Sequence, residues 1–212
     1  FESLSGRVYY AFSRDRNVAP VTLAWDETAC VSFDFNIDPA TAVIGAVRGE
    51  SVVVWREVFL KHLGGEATLS VARKVKQLLE SIHHRGPVRL YGDSTGKAGK
   101  TTGPSDHAVL RQEFPEGAWH IPRDQPHVKD RIAAVNSLCQ TASGRSRLIV
   151  DPSCQHLVND LEQVRFTEQG DIDKKDNAQL THVSDAAGYW LVRDFPVVKR
   201  PVTMGGMRFG YD

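Results

Sequence analysis

Three β-rich runs follow one another closely near the start of the chain, and they restrict the possible folds more than any other feature. They cover residues 29–36, 41–48 and 51–60, with only short turns between them. This spacing predicts an antiparallel meander. Residues 69–83 follow as an amphipathic helix, because their apolar residues recur at helical spacing. The run 88–91 then predicts a short buried strand that lies parallel to a neighbour, since a helical crossover precedes it.

The rest of the chain alternates between helical and strand patterns, which predicts an α/β fold. We expect helices near residues 106–114, at 128–140, 154–163 and 181–193, and strands at 119–121 and 148–150. Residues 164–175 contain Glu168-Gln-Gly-Asp171, a sequence typical of a hairpin turn. The predicted organisation is a lead at residues 1–28, one domain at 29–195, and a tail at 196–212 that is rich in Pro and Gly.

Composition favours one soluble domain with its own core. Hydrophobic residues make up 41% of the 212 residues and charged residues 25%. No apolar run approaches the roughly 20 residues that cross a bilayer, so no membrane span is expected. Three widely spaced cysteines fit neither a disulfide framework nor a thiolate zinc site and suggest a reducing cytoplasm. The chain begins at Phe1 without a secretory signal, and we expect it to be a piece of a longer protein.

Charge is balanced over the whole chain, with 26 Lys and Arg against 26 Asp and Glu. No net field therefore attracts nucleic acid, and any DNA contact must come from local basic patches. The alternative for each patch is an ordinary solvated helix face. The candidate patches are Arg73, Lys74, Lys76 and Arg85; Lys97 and Lys100; and Arg123, Lys129 and Arg131.

Asp34 is the first of three acidic residues in unusual surroundings. It lies in the apolar and aromatic run 31–37, where strand alternation places it on one face with Ser32 and Asn36. Burial of a lone carboxylate is costly, so Asp34 is either exposed on the polar face of an edge strand or held in a site.

Asp93 and Asp185 are the other two. Asp93 directly follows the strand 88–91, at the carboxyl end where ligands gather in α/β sheets; alternatively, it caps a turn or the next helix. Asp185 falls at the border of the apolar stripe of the helix 181–193, close to His182 and Tyr189. The small residues at 186–188 should let this helix approach the sheet closely.

The order of these three acids reproduces the layout of ribonuclease H-like nucleases, with one acid in the meander, one after the fourth strand and one on a late helix. Phosphodiester hydrolysis needs hard oxygen ligands for Mg²⁺ or Mn²⁺, and two ions about 3.5 to 4 Å apart can serve it together. Three converging carboxylates repel one another without metal. We therefore expect each Asp→Asn substitution to leave the metal-free fold intact or more stable.

The motifs around these acids resemble those of the nuclease domain of tailed-phage large terminase subunits. Ser-Phe-Asp-Phe-Asn-Ile-Asp-Pro at 32–39 resembles the first acidic motif of that family, Tyr-Gly-Asp-Ser-Thr-Gly at 91–96 the second, and His-Val-Ser-Asp-Ala-Ala-Gly-Tyr at 182–189 the third. The lead at 6–12 resembles the stretch that joins the motor to the nuclease. The similarity spans nearly the whole chain, and it implies that Asp34, Asp93 and Asp185 are catalytic metal ligands.

The resemblance also implies a function and partners. The expected activity is metal-dependent endonucleolytic cleavage of concatemeric viral DNA during packaging, in the host cytoplasm, with two Mg²⁺ or Mn²⁺ ions. The expected partners are double-stranded DNA, an ATPase motor domain, a small terminase subunit and a portal protein. His182 is expected beside the metal site, and the hairpin 164–175 near the DNA. Asp38 is a candidate accessory carboxylate, although a turn-forming Asp before Pro39 is the alternative.

The run Ser94-Thr-Gly-Lys-Ala-Gly-Lys-Thr101 nearly matches a phosphate-binding loop. Ser94 stands where the first Gly belongs, a meander precedes the loop, and Asp93 would place a negative charge at its mouth. We therefore expect no ATPase activity from this chain. Its lysines are better placed to contact DNA phosphates, and the expected DNA-binding residues are Lys97, Lys100, Arg123 and Lys129.

Other functions fit the same three acids. A junction resolvase or a transposase-like enzyme would use this layout too, because a fold does not determine its chemistry. A degenerate ribonuclease H-like module that only binds DNA or a portal protein is a further alternative, which the retention of all three acids disfavours.

Overall fold

The computed structural model describes residues 6–99, 103–173 and 180–197. The strands are β1 Ala29–Asp34, β2 Ala40–Arg48, β3 Ser51–Leu60, β4 Val88–Gly92, β5 Ala118–Trp119 and β6 Leu148–Val150. The helices are α1 Arg14–Asn17, α2 Ala67–Ser81, α3 Asp106–Glu113, α4 Val128–Cys139, α5 Gln155–Gln163 and α6 His182–Asp194. Short 3-10 turns cover Gly64–Glu66 and Ser94–Lys97. Within these described ranges, no helix is long and apolar enough to cross a membrane.

The strands form one mixed sheet in the order β5-β4-β1-β2-β3-β6. β2 pairs antiparallel with both β1 and β3, and β4 pairs parallel with β1. The predicted meander and the predicted parallel strand after the crossover are both confirmed. β5 and β6 extend the two edges of the sheet in parallel register. The carboxyl ends of β1, β4 and β5 therefore share one edge of the sheet.

Helices cover both faces of this sheet. α2 and α3 lie over one face, where Phe33, Ile44 and Trp55 are buried. α4, α5 and α6 lie over the other face, against Val43 and Tyr91. β1 lies between β4 and β2, and its six residues are all buried. The edge-strand interpretation of Asp34 is therefore wrong, because β1 has a neighbour on each side and a helical layer above and below.

The lead at residues 6–28 packs onto the layer of α4, α5 and α6. Val8 and Phe12 are buried there, and the Val8 amide donates to the Val164 carbonyl at 3.0 Å. Asn136 of α4 holds the lead from below, since its side chain accepts from the Ala11 amide and donates to the Val8 carbonyl, both at 3.0 Å. The predicted boundary at residue 28 stays a prediction. The predicted tail lies outside the described residues beyond residue 197.

α6 lies close to the middle of the sheet. The pairing of β2 with β3 shifts register at Gly45, and a Cβ atom there would lie 2.0 Å from the Val53 carbonyl oxygen and 3.0 Å from the Trp190 ring. The Ser32 hydroxyl of β1 donates to the Ala186 carbonyl of α6. The predicted close approach of this helix to the sheet is therefore confirmed at Ala186, and Gly45 makes room for Trp190.

Gly188 has a different neighbour from the predicted one. A Cβ atom at this position would lie 3.2 Å from the Arg131 Cβ atom of α4 rather than against the sheet. The small residue thus lets two helices approach each other, and it seats the base of the Arg131 side chain on α6.

The hairpin predicted within residues 164–175 is present in its described part. Phe166 and Ile172 form an antiparallel bridge, and the Thr167 amide donates to the Asp171 carbonyl at 2.7 Å. Residues 174 and 175 lie outside the described residues.

Candidate active site

Asp34 and Asp93 stand side by side at the carboxyl ends of adjacent parallel strands. Asp34 is the last residue of β1, Asp93 directly follows β4, and the parallel register pairs Phe33 with Gly92 just before them. Adjacent strands in a sheet lie about 4.8 Å apart. The fold therefore brings together two of the three acids that the sequence predicted as ligands.

Asp93 is held by a turn on one side and a ring on the other. Its Oδ1 accepts from the Thr95 amide at 2.6 Å and so caps the turn Ser94–Lys97, while its Oδ2 accepts from the Tyr189 hydroxyl at 3.4 Å. The His107 Nε2 atom lies 2.9 Å from the Asp93 carbonyl. The two interpretations of Asp93, turn cap and site residue, are thus compatible, because each uses a different carboxylate oxygen.

Asp34 contacts the start of α6. Its side chain is only 9% exposed, and its Oδ2 lies 3.1 Å from the His182 Nδ1 atom. The same Nδ1 atom lies 2.8 Å from the Asn36 amide nitrogen. Since a neutral Nδ1 either donates or accepts, the tautomer decides which of these two contacts is a hydrogen bond. His182 therefore lies beside Asp34, where the sequence resemblance predicts it.

Asp185 is paired with a buried cation. The Arg131 Nη1 atom of α4 lies 2.8 Å from the Asp185 Oδ1 atom, and the two side chains are 8% and 17% exposed. Arg131 was predicted within an exposed basic patch, and that prediction is wrong, because Gly188 lets its side chain lie buried against α6. The three acids are therefore not an unrelieved cluster of negative charge, since one of them already has a guanidinium partner.

Tyr189 lies among all three acids. The Arg131 guanidinium stacks over its ring at 4.4 Å, and the Gln125 side-chain amide donates to its hydroxyl at 2.9 Å. Burial raises the pKa of the Tyr189 hydroxyl, the Arg131 cation opposes the rise, and the negative charges of Asp93, Asp34 and Asp185 add to it. The hydroxyl is therefore a neutral donor to Asp93, and it experiences the electrostatic field of every predicted ligand.

The donor chemistry fits a hard divalent cation, but the side chains are not gathered around one point. Over residues 6–99, 103–173 and 180–197, no three Asp, Glu, His or Cys side chains lie close enough to hold one metal ion. Asp34 and Asp93 offer carboxylate oxygens from neighbouring strand ends, as Mg²⁺ and Mn²⁺ prefer. Asp185 can join them only by sharing or giving up its contact with Arg131.

The other predicted site residues lie around this centre. Lys97 follows Asp93 in the same turn and donates to the Arg123 carbonyl at 3.0 Å, so these two exposed residues lie together. Lys129 is exposed on the first turn of α4. Asp38 contacts His62 at 3.3 Å in the turn after β1, which favours its turn-forming interpretation. Lys100 lies outside the described residues.

Sequence reasoning missed the residues that hold the acids in place. Gln125 accepts from the Ser94 amide and hydroxyl, both at 3.0 Å, and also reaches Tyr189, so it ties the Asp93 turn to α6. Neither Gln125 nor His107 carries a sequence signal, because each lies in a segment with no motif. Tyr189 was visible as the residue one helical turn after Asp185, although its contact with Asp93 was not.

The architecture defines a ribonuclease H-like fold, with the meander β1–β3, the parallel strands β4 and β5, flanking helices, and acids at the ends of β1 and β4. The predicted fold class is confirmed. No protein-family model and no curated protein sequence matches the chain.

Among solved structures, the neighbours are phage large terminases and their nuclease domains. The chain aligns with the large terminase nuclease domain of phage P22 at a TM-score of 0.59 and 15% identity, covering 92% of this chain and 96% of that one. The large terminase nuclease of thermophilic phage G20c with bound magnesium aligns at a TM-score of 0.52 and 12% identity, covering 89% and 96%.

A longer neighbour is the large terminase of another thermophilic bacteriophage, solved in complex with ATP-γ-S. It aligns at a TM-score of 0.61 and 16% identity over 88% of this chain. The aligned part spans only 45% of that longer protein. The predicted resemblance is thus confirmed as a shared fold.

Proposed function

We propose that this chain is a metal-dependent DNA endonuclease that cuts concatemeric viral DNA during genome packaging. The observation that carries the proposal is the convergence of three elements: the ends of two adjacent parallel strands bring Asp34 and Asp93 together, and α6 brings Asp185 to the same tyrosine. The fold shared with phage terminase nucleases supports this function over a resolvase or a transposase-like enzyme.

In this proposal Asp34, Asp93 and Asp185 hold two Mg²⁺ or Mn²⁺ ions. The bound ions would supply electrostatic stabilisation of the phosphodiester transition state and activation of a water molecule. The other residues orient the ligands: His182 lies against the Asp34 carboxylate, the Tyr189 hydroxyl donates to Asp93, and Gln125 holds that hydroxyl. Lys97, Arg123 and Lys129 would meet phosphates around the centre, because they are exposed and close to it.

The larger assembly is part of the same proposal. A protein about twice as long, with an ATPase motor ahead of this domain, would position concatemeric DNA over the carboxylates, since the large terminase solved with ATP-γ-S has a chain of that relative length. A small terminase subunit and a portal protein would be its further partners, in the cytoplasm of the host cell.

The buried Arg131–Asp185 pair favours a second candidate, a ribonuclease H-like module that binds DNA without cutting it. An arginine that permanently occupied Asp185 would leave two carboxylates, one fewer than the proposed centre needs. The two candidates differ in whether metal ions bind and whether DNA is cut.

Cleavage of supercoiled plasmid separates the two candidates. We expect the protein to nick or linearise plasmid with Mg²⁺ or Mn²⁺ and to be inactive in EDTA, with Asp34→Asn and Asp93→Asn nearly inactive. Asp26→Asn, at an exposed position outside the site, is the matched control and should cut like wild type. Cleavage that persists in excess chelator would refute the metal mechanism. Binding of DNA without any cleavage, whatever the metal, would favour the second candidate.

A further inference from the structure

A cleft of about 700 Å³ lies between the lead and the C-terminal end of α5. Its lining is dominated by guanidinium groups, with four arginines and a single acidic residue. These residues, which we call the arginine cleft, are Arg7, Arg14, Arg16, Arg165 and Glu162. In a chain whose formal net charge is zero, this is a local concentration of positive charge.

Neutral carbonyl groups hold several of these guanidinium groups. Arg7 Nη2 donates to the Leu161 carbonyl at 3.2 Å, and Arg16 Nη2 to the Ala11 carbonyl at 3.3 Å. Such contacts fix a guanidinium without cancelling its charge. The Arg7 Nε atom is also buried without a hydrogen-bond acceptor. The cleft therefore presents oriented positive charge, which suits a phosphate group.

Arg14 has a carboxylate partner within the cleft. Its Nε and Nη2 atoms donate to the two Glu162 carboxylate oxygens, each at 2.7 Å. The Arg14 side chain is 57% exposed, so this pair contributes little to folding stability, and the guanidinium can be shared with an incoming anion.

The cleft is continuous with the surface beside the carboxylates. Tyr10 lines the arginine cleft and also a neighbouring cleft of about 580 Å³, which Lys129, Arg131 and Asp185 line as well. The Tyr10 side chain is 64% exposed, and Phe166 is also exposed in that second cleft. A path therefore runs from Asp185 past two aromatic rings to the arginines.

We infer that the arginine cleft binds the phosphate backbone of DNA on one side of the proposed catalytic centre. Lys97 and Arg123 lie beside Asp93, whereas the arginine cleft is reached from Asp185. Duplex DNA over the acids would then meet positive charge in both directions, which offsets its repulsion by the carboxylates. The inference rests on the proposed function, because the ligand is the DNA that the centre would cut.

The test measures the salt dependence of DNA binding in EDTA, where no cleavage occurs, with a duplex of about 30 base pairs, roughly three helical turns. The double variant Arg14→Gln/Arg16→Gln should lower the slope of log K against log salt by about 1.8, because each lost phosphate contact removes about 0.9. Its affinity should fall by up to about 60-fold at 0.1 M salt, the same loss expressed at that concentration.

Two further variants separate charge from structure. Arg14→Lys/Arg16→Lys keeps the charge and should retain most of the slope, although both double variants lose the bidentate contact with Glu162. Arg73→Gln/Lys74→Gln removes the same charge from the exposed face of α2, across the sheet from α5, and should bind like wild type. Thermal melts of each variant confirm that it is folded.

The outcomes distinguish this inference from the proposed function. An unchanged slope in Arg14→Gln/Arg16→Gln, with wild type cutting plasmid, would overturn the inference and leave the nuclease in place; the cleft would then suit an acidic protein surface. An equal loss in Arg73→Gln/Lys74→Gln would also overturn it. A specific loss in the Arg14/Arg16 variant of a protein that never cuts DNA would refute the nuclease and keep the binding cleft.

Discussion

Replacement of Asp185 by Asn should destabilise the metal-free protein, in contrast to the other two acids. The Asp185 and Arg131 side chains are 17% and 8% exposed and 2.8 Å apart, so Asp185→Asn removes the anionic partner of a buried guanidinium. Loss of one member of a buried ion pair costs about 3 to 5 kcal/mol. Because Asp185 keeps some exposure, we expect the lower end, about 3 kcal/mol.

Thermal melts in EDTA measure this effect. For a chain of this length, about 3 kcal/mol corresponds to a fall in Tm of roughly 6 to 12 °C. Asp93→Asn keeps the turn cap, because an amide oxygen also accepts from the Thr95 amide, and Asp34→Asn has no buried cation to strand. We expect both of these variants to melt within a few degrees of wild type. Cleavage should be lost in all three.

A double-mutant cycle isolates the pair itself. Arg131→Met/Asp185→Asn removes both charges, so the double variant should be more stable than the sum of the two single effects predicts, by about 1 to 3 kcal/mol. A Tm for Asp185→Asn at or above that of wild type would refute this reasoning. It would restore the expectation, drawn from the sequence, that each carboxylate is relieved by neutralisation.

Two further predictions concern stability. Burial raises the pKa of the Asp160 carboxyl to about 7 in the folded protein, although the carboxylate accepts from the Ser184 amide. Since the unfolded value is near 3.8, the stabilising contribution of this group is complete below that pH and is lost as the pH rises towards 7. Urea unfolding should therefore show a smaller decline in stability over this window for Asp160→Asn, and identical pH profiles would contradict the assignment. Gly45→Ala should cost several kcal/mol, at or above the usual range of about 1 to 3 for overpacking, because its Cβ would meet the backbone oxygen of Val53. Gly65→Ala, which adds a Cβ in open space, should change stability by no more than about 0.5 kcal/mol, and comparable Tm losses in the two variants would show that the β2 bulge does not need glycine.

Local pattern was a sound guide to the elements of this chain. Strand β3 matches its predicted run from residue 51 to 60, and α4 and α5 match theirs to within a residue. These segments are long or strongly periodic, and the period of a backbone sets which residues share a face. The two-residue strand β5 is shorter than predicted, because its pairing with β4 covers only Ala118 and Trp119.

The surroundings of each acid were harder to predict. Strand alternation correctly grouped Asp34 with Ser32, but it could not show that β4 and β2 flank β1 and that a helix covers each face. Burial of a strand depends on its neighbours in the sheet, which are distant in sequence. The same limit made Arg131 look like one more exposed basic residue.

The sequence by itself determined the order of strands and helices and the three positions at which carboxylates end or follow them, because both depend on local periodicity and turn chemistry. Only the tertiary structure decided how charge is paired. Arg131 lies 54 residues from Asp185, and the arginine cleft joins the lead to residues after α5. Electrostatic interaction depends on distance in space and on exclusion of water, and both arise only when the helices pack on the sheet.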